Sequence, residues 1–145
     1  MSFFKSINNA FIKCFDFKGR ASRSEFWYFY LFTVIANTIS LNFDQFIGYK
    51  IIKLDEANDI GIGPIYLFLS FLFFIPSFSL YVRRLHDINR SGLWLLILII
   101  PTIGAVLGLS LFAAINLFLV VLITLIFFFC LKGDNGRNEF GPPSI

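Results

Sequence analysis

The sequence predicts an all-α membrane protein with four transmembrane helices, preceded by a short amphipathic interfacial helix and followed by an irregular C-terminal tail. Hydrophobic residues make up 57% of the 145 residues and charged residues only 14%, whereas a soluble domain usually carries about 25% charged residues. The 41 residues from Ser91 to Leu131 contain no Asp, Glu, Lys, Arg or His. A chain of this composition lacks the polar surface that water requires on all sides.

The uncharged run is too long for one membrane crossing. The hydrocarbon core of a bilayer is about 30 Å thick and is crossed by roughly 20 helical residues. As a single helix, the 39 residues from Leu93 to Leu131 would extend roughly 58 Å at about 1.5 Å per residue. We therefore predict two spans folded back on each other, at about 93–112 and 113–131, with one long span as the alternative. The candidate turn residues are Gly104, Gly108, Ser110 and Asn116.

The remaining elements follow within a single integral-membrane domain, 1–145. In the segment 1–25, apolar residues from Phe3 to Phe15 recur at helical spacing, which is typical of a helix that lies among lipid headgroups or packs on the protein itself. The first span, about 26–43, opens with an aromatic belt, and 42–63 is a polar connection. The second span, about 61–82, contains a proline that predicts a kink. The tail, 132–145, is rich in Gly, Pro and Asn and shows no helical period.

The distribution of positive charge predicts the orientation. Ten Lys and Arg residues lie before the first span, after the second span and in the tail, against two in the connection after the first span. With four spans, the positive-inside rule places both termini in the cytoplasm. The first apolar run begins only at Phe26, and no small-residue cleavage site closes it, so we expect it to remain as an anchor. The expected location is a bacterial cytoplasmic (inner) membrane.

The strongest polar chemistry lies at the predicted cytoplasmic edge, in the segment 19–25 and in a basic loop at 83–92. Each basic group near an anionic surface gains roughly 1 kcal/mol. Candidates for binding anionic lipid headgroups or a protein partner are Arg20, Arg23, Arg83, Arg84, His86 and Arg90. We expect Glu25 and Asp87 to form ion pairs that tie the two segments together. If the second span continues as a helix, Asp87 can pair with the arginine three or four residues before it.

Other function classes receive less support from the sequence. No ionisable residue lies inside a span, which argues against pumps and ion-coupled carriers. Asn37 and Asn116 are expected to form hydrogen bonds between helices; the alternative is a small oligomeric channel or transport accessory in which they face a shared interior. An enzyme using His86 and Asp87 is the weakest interpretation, because no nucleophile or metal constellation accompanies them. One His and two separated Cys predict no metal site, and we expect no cofactor and no nucleic acid as partner.

Four segments resemble, in the same order, motifs of the DUF805 family, the YhaH/YhaI-like small bacterial inner-membrane proteins of unknown function. These segments are 17–29, 83–94, 100–104 and 132–142, and the resemblance covers most of 15–142. It implies an inner-membrane protein with no established activity or cofactor. The last apolar segment is longer here than in the family by roughly one helix. In the tail, Arg137, Asn138 and Phe140 are candidates for folding back onto the two arginine-containing segments.

Overall fold

The protein is mostly helical in the computed structural model, which describes residues 2–55, 60–108 and 110–143. Two short antiparallel strands interrupt the helices, so the all-α prediction needs this small correction. In chain order, the elements are α1 (Phe3–Ile12), α2 (Arg23–Ile47), β1 (Ile52–Asp55), β2 (Ile60–Ile62), α3 (Pro64–Asp87), a 3₁₀ helix (Gly92–Leu98), α4 (Ile99–Val106) and α5 (Leu111–Cys130). The chain divides into two compact units, Met1–Asp16 with Trp27–Ser79, and Phe17–Phe26 with Leu80–Ile145.

In the first unit, α1 packs by one face and exposes apolar residues on another. Ser6 and Ala10 are fully buried, and the ring of Phe11 lies 5.8 Å from that of Phe29 and 6.1 Å from that of Phe73. Phe4 remains 81% exposed. The helix therefore contacts its own unit and still presents an apolar surface of the kind that inserts among lipid headgroups.

The connection predicted at 42–63 is more regular than its polar composition suggested. Helix α2 continues to Ile47, and Gly48 has a φ of 76°, which favours glycine as the residue after the helix. The strands β1 and β2 pair in antiparallel register, with Ile52 opposite Ile62. Asp44, which is 1% exposed, accepts hydrogen bonds from the backbone amides of the first turn of α3.

In the second unit, the predicted third span is short and divided. The 3₁₀ helix passes directly into α4, which ends at Val106 rather than near Phe112. Pro101 lies in the first turn of α4 and has no amide hydrogen to donate to the carbonyl of Ile97, so no α-helical hydrogen bond joins these two residues at the junction with the 3₁₀ helix. Gly108 follows with a φ of 91°, and Ser110 caps α5 by accepting from the amide of Ala113. The chain therefore turns at two of the four predicted turn residues.

Among the described residues, α3 is the helix that is long and apolar enough to cross a bilayer by itself. Its 24 residues extend about 36 Å at 1.5 Å per residue, more than the thickness of the hydrocarbon core. Two shorter apolar helical stretches, Gly92–Pro101 and Ile115–Cys130, belong to the second unit. Helix α2 has 25 residues, but four polar side chains between Asn37 and Asn42 lower its hydropathy.

Candidate functional site

The first half of the basic loop predicted at 83–92 belongs to the last turns of α3, which extends to Asp87. The amide of Arg90 donates to the carbonyl of Leu85 and that of Asn89 donates to the carbonyl of His86, while Asn89 has a φ of 54°. This is a Schellman motif, in which Asn tolerates the left-handed conformation better than most residues. The last helical turn therefore fixes the positions of Arg83, Arg84 and Asp87.

The centre of the site is the buried carboxylate of Asp87, which is 3% exposed. Its Oδ1 atom accepts from Arg20 Nε at 2.9 Å, and its Oδ2 atom accepts from Arg84 Nη1 at 2.5 Å. The Arg84 pair has the three-residue spacing that the sequence permitted. We call Arg20, Glu25, Arg83, Arg84 and Asp87 the arginine–carboxylate cluster.

Arg20 joins α3 to the C-terminal tail. Its Nη1 atom donates to the carbonyl of Gly136 at 2.7 Å and to that of Gly141 at 3.5 Å. Its Nη2 atom donates to the carbonyl of Asp134 at 2.5 Å and to the backbone carbonyl of Asp87 at 3.4 Å. All three nitrogen atoms of this guanidinium are therefore bonded within the unit, and its side chain is 1% exposed.

Arg84 is fully buried and binds the end of α5. Its Nε and Nη2 atoms donate to the carbonyl of Phe129 at 3.2 and 3.1 Å, and Nη2 also donates to the carbonyl of Leu131. The last carbonyls of a helix have no partner within the helix and carry its partial negative charge. A guanidinium placed there satisfies these carbonyls and is itself stabilised by them.

Arg83 is held differently from the other two buried arginines. Its Nη1 atom donates to Glu25 Oε1 at 3.3 Å, and both side chains are at most 7% exposed. Glu25 is positioned by the start of α2, where its amide donates to Ser22 Oγ at 3.2 Å, the first of the two bonds of a capping box. Nε and Nη2 of Arg83 are buried and find no acceptor among the described residues.

The tail packs closely against the end of α3. The amide of Asp134 donates to the backbone carbonyl of Asp87 at 2.9 Å, and a Cβ atom on Gly133 would lie 2.5 Å from the Asp87 carboxyl carbon. Asn138 Nδ2 donates to the carbonyl of His86 at 2.9 Å. The His86 and Phe140 rings stack with centroids 3.9 Å apart. Two of the three tail candidates, Asn138 and Phe140, therefore meet α3, while Arg137 is exposed.

His86 is placed as a packing residue. Its Nδ1 atom lies 3.2 Å from the carbonyl of Gly19, to which it can donate but from which it cannot accept. The oxygens of its neighbour Asp87 accept from arginines. Among the described residues, no group of three His, Cys, Asp or Glu side chains could hold a metal ion.

The two remaining candidate arginines are exposed. Arg23 donates to the carbonyl of Cys130 at 3.5 Å. The guanidinium of Arg90 lies 5.6 Å from the ring centre of Trp94, within the range of a cation–π interaction. Trp94 also lines an open groove of about 530 Å³ together with Ser91, Leu93, Leu96, Ile97 and Ile100.

The two asparagines proposed for contacts between helices differ from each other. Asn37 Oδ1 accepts from Ser70 Oγ at 3.2 Å, which joins α2 to α3 in the first unit. Asn116 is exposed, and its Nδ2 atom donates to the carbonyl of Phe112 in its own helix at 2.8 Å. The expected bond between helices is replaced by a bond within α5, because the side-chain amide of Asn116 reaches the carbonyl one turn earlier in its own helix.

These observations define a mostly helical protein with an apolar helix long enough to cross a membrane, in which buried arginines and carboxylates join the end of that helix to the N-terminal segment and the C-terminal tail. The chain belongs to the family described as "Protein of unknown function (DUF805)", whose model matches residues 14–142. This confirms the resemblance found in the sequence.

Two relatives are inner membrane proteins of Escherichia coli strain K12. Inner membrane protein YhaI is 35% identical over 125 residues, which cover 86% of this chain and 82% of the relative. Inner membrane protein YhaH is 32% identical over 126 residues, covering 87% and 84% respectively. No solved structure matches the chain significantly.

Proposed function

We propose that the protein is a non-enzymatic, multi-pass protein of the bacterial inner membrane whose cytoplasmic face binds anionic phospholipid. In this proposal, four spans place both termini in the cytoplasm, because ten of the twelve Lys and Arg residues lie before the first span, after the second span and in the tail. The names of the two relatives support the inner membrane as its location.

The observation that carries the proposal is the separation of the arginines into two classes. Arg20, Arg83 and Arg84 are buried inside the second unit, so none of them lies on its exposed surface. Arg23 and Arg90 of the same unit are exposed. In this proposal, the exposed arginines that would meet lipid headgroups at the surface are these two.

Arg90 has the surroundings expected of a site for a lipid headgroup. A cation at the bilayer interface attracts anionic headgroups, and a tryptophan commonly lies at the same depth. Arg90 lies over Trp94, and the apolar groove that begins beside this ring continues to Ile100. A phosphodiester at the guanidinium would leave its acyl chain along the groove. A protein partner would need no such apolar extension, so we favour lipid.

The test is the lipid composition that remains bound to the purified full chain. Arg90→Gln should lower the enrichment of phosphatidylglycerol over phosphatidylethanolamine about fivefold, since one basic group contributes roughly 1 kcal/mol. The enrichment should also fall as salt is raised. Arg137→Gln, at an exposed tail position, is the matched control and should leave it unchanged. Equal enrichment in Arg90→Gln and the unmodified chain would contradict the proposal, and a co-purifying protein lost in Arg90→Gln would favour the partner interpretation.

The alternatives receive less support from the described residues. For a channel, Asn116 would have to face a shared interior, whereas its amide is bonded to the backbone of its own helix. For an enzyme, Asp87 would have to orient His86, whereas both carboxylate oxygens accept from arginines.

A further inference from the structure

The guanidinium of Arg83 presents an unusual buried edge. Nε and Nη2 form the side of an arginine that binds two oxygens of one carboxylate or phosphate at once. In Arg83 both atoms are buried without an acceptor among the described residues, and the side chain is 1% exposed. A buried donor without a partner costs about 1–3 kcal/mol, and more when it is charged. A protein that retains such an edge gains stability from any oxyanion that reaches it.

The other two buried arginines of this unit differ from Arg83, because each of their guanidinium nitrogen atoms donates a hydrogen bond. Arg20 and Arg84 each use Nε, Nη1 and Nη2 in hydrogen bonds. Glu25, in contrast, meets Arg83 through one contact of 3.3 Å, which is long for a charged pair. Nε and Nη2 of Arg83 are therefore the guanidinium nitrogen atoms of the cluster that lack a hydrogen-bond acceptor among the described residues.

The charge of the cluster points to an anion rather than to a neutral acceptor. Three buried arginines face two buried carboxylates, those of Glu25 and Asp87, which leaves a formal net charge of +1. The charge of Arg84 is stabilised by the last carbonyls of α5. The described contacts provide no similar carbonyls for Arg83.

We propose that the Nε–Nη2 edge of Arg83 binds a phosphate group, which in a membrane is supplied by a phospholipid headgroup. The inference rests on the proposed lipid-binding function for this source of the phosphate, but it concerns a different residue from Arg90. Because the side chain is closed off from solvent, entry requires a local opening of the second unit. Binding should therefore develop slowly, or take place during membrane insertion.

The experiment measures the unfolding midpoint of the full chain in an uncharged detergent after long incubation with a phosphate source. The phosphate sources are phosphatidylglycerol and inorganic phosphate. Their phosphate-free controls, at matched concentration and ionic strength, are diacylglycerol and sodium chloride respectively. A ligand that binds only the folded state raises the midpoint by mass action, and we expect a rise of about 3–5 °C with phosphatidylglycerol. Diacylglycerol and chloride should give none.

Two substitutions with opposite expected signs make the result specific. Arg83→Lys keeps the charge but loses the two-donor edge, so the rise should disappear. Glu25→Gln removes the competing carboxylate and increases the net positive charge, so the rise should grow even though the resting protein is less stable. Arg137→Lys is the control and should respond like the unmodified chain. If Arg83→Lys does not fold, the Glu25→Gln comparison still decides the question.

The outcomes separate this inference from the proposed function. Loss of the phosphatidylglycerol response in Arg83→Lys but not in Arg90→Gln supports the Arg83 site. A response to inorganic phosphate alone supports the phosphate chemistry and overturns the lipid source. If neither phosphatidylglycerol nor inorganic phosphate gives a larger rise than its phosphate-free control, or if the response is unchanged in Arg83→Lys, the inference is overturned, while Arg90 remains testable through its own lipid enrichment.

Discussion

The two ends of α3 are stabilised in opposite ways. At its start, the carboxylate of Asp44 accepts from the amides of Ile65 and Tyr66 at 3.2 and 2.8 Å. At its end, the guanidinium groups of Arg20 and Arg84 donate to carboxylate and backbone oxygens. In both places the charge brought to the helix terminus is opposite in sign to the partial charge of that terminus, which is the stabilising arrangement.

The two ends differ in the sequence separation of the residues that their hydrogen bonds join. The bonds of Asp44 join residues 21 and 22 positions apart. The bonds of Arg84 to the end of α5 span 45 to 47 positions, and those of Arg20 to the tail span 114 to 121. One end is completed within a helix hairpin, whereas the other requires segments from near both ends of the chain.

The largest expected effect comes from removing the charge at the centre of the cluster. Asp87→Asn leaves two buried arginines without their carboxylate, which should cost about 3–5 kcal/mol of unfolding free energy. Thermal unfolding of the detergent-solubilised protein measures the loss. Asp134→Asn is the matched control, because Arg20 binds the backbone carbonyl of that residue and not its exposed side chain. A loss of similar size in both variants would contradict the central role of Asp87.

An intermediate effect is expected from pushing the tail away from α3. Gly133→Ala places a Cβ atom against the Asp87 carboxylate, and overpacking of this kind costs about 1–3 kcal/mol. Limited proteolysis should then cleave the C-terminal tail faster. Gly136→Ala serves as control, because its new Cβ meets nothing within 4 Å. Equal cleavage of the two variants would show that tail packing does not depend on this close approach.

The smallest of the three effects is expected at the other end of the helix. Asp44→Ala removes a cap from the start of α3, which typically costs about 1–2 kcal/mol. Asn42→Ala is the control, because Asn42 is exposed and its side chain bonds to the carbonyl of Thr38 in its own helix. The unfolding midpoint is again the readout. A greater loss for Asp44→Ala than for Asp87→Asn would reverse the comparison between the two ends.

Short-range features of the site were predictable from the sequence. The spacing of Arg84 and Asp87 follows directly from helical geometry, and helical spacing from Phe3 onward predicted the region of α1. The class, a helical membrane protein, was also predictable from the sequence, because the composition and the long apolar runs indicate a chain that is surrounded by lipid rather than by water. The strands β1 and β2 were missed, because a short hairpin inside a polar connection has little periodicity.

The long-range half of the site had no comparable signal. Arg20 and Arg84 bind backbone carbonyls, which every residue carries and which no motif marks. Asp44 caps a helix that begins 20 residues later, so the usual search for a cap immediately before the helix does not find it. Five arginines that looked equivalent in sequence therefore proved to be of two kinds, three buried and two exposed.

The docking of Arg20 on the tail has a consequence for the order of events at the ribosome. Its partner carbonyl at Asp134 is synthesised 114 residues later, a delay of about 6 to 23 s at 5–20 residues per second. During that time Arg20 is translated but lacks its tail acceptors. The end of α3 is therefore completed only when translation is almost finished, and a ribosome that stops early leaves this guanidinium without its tail partners.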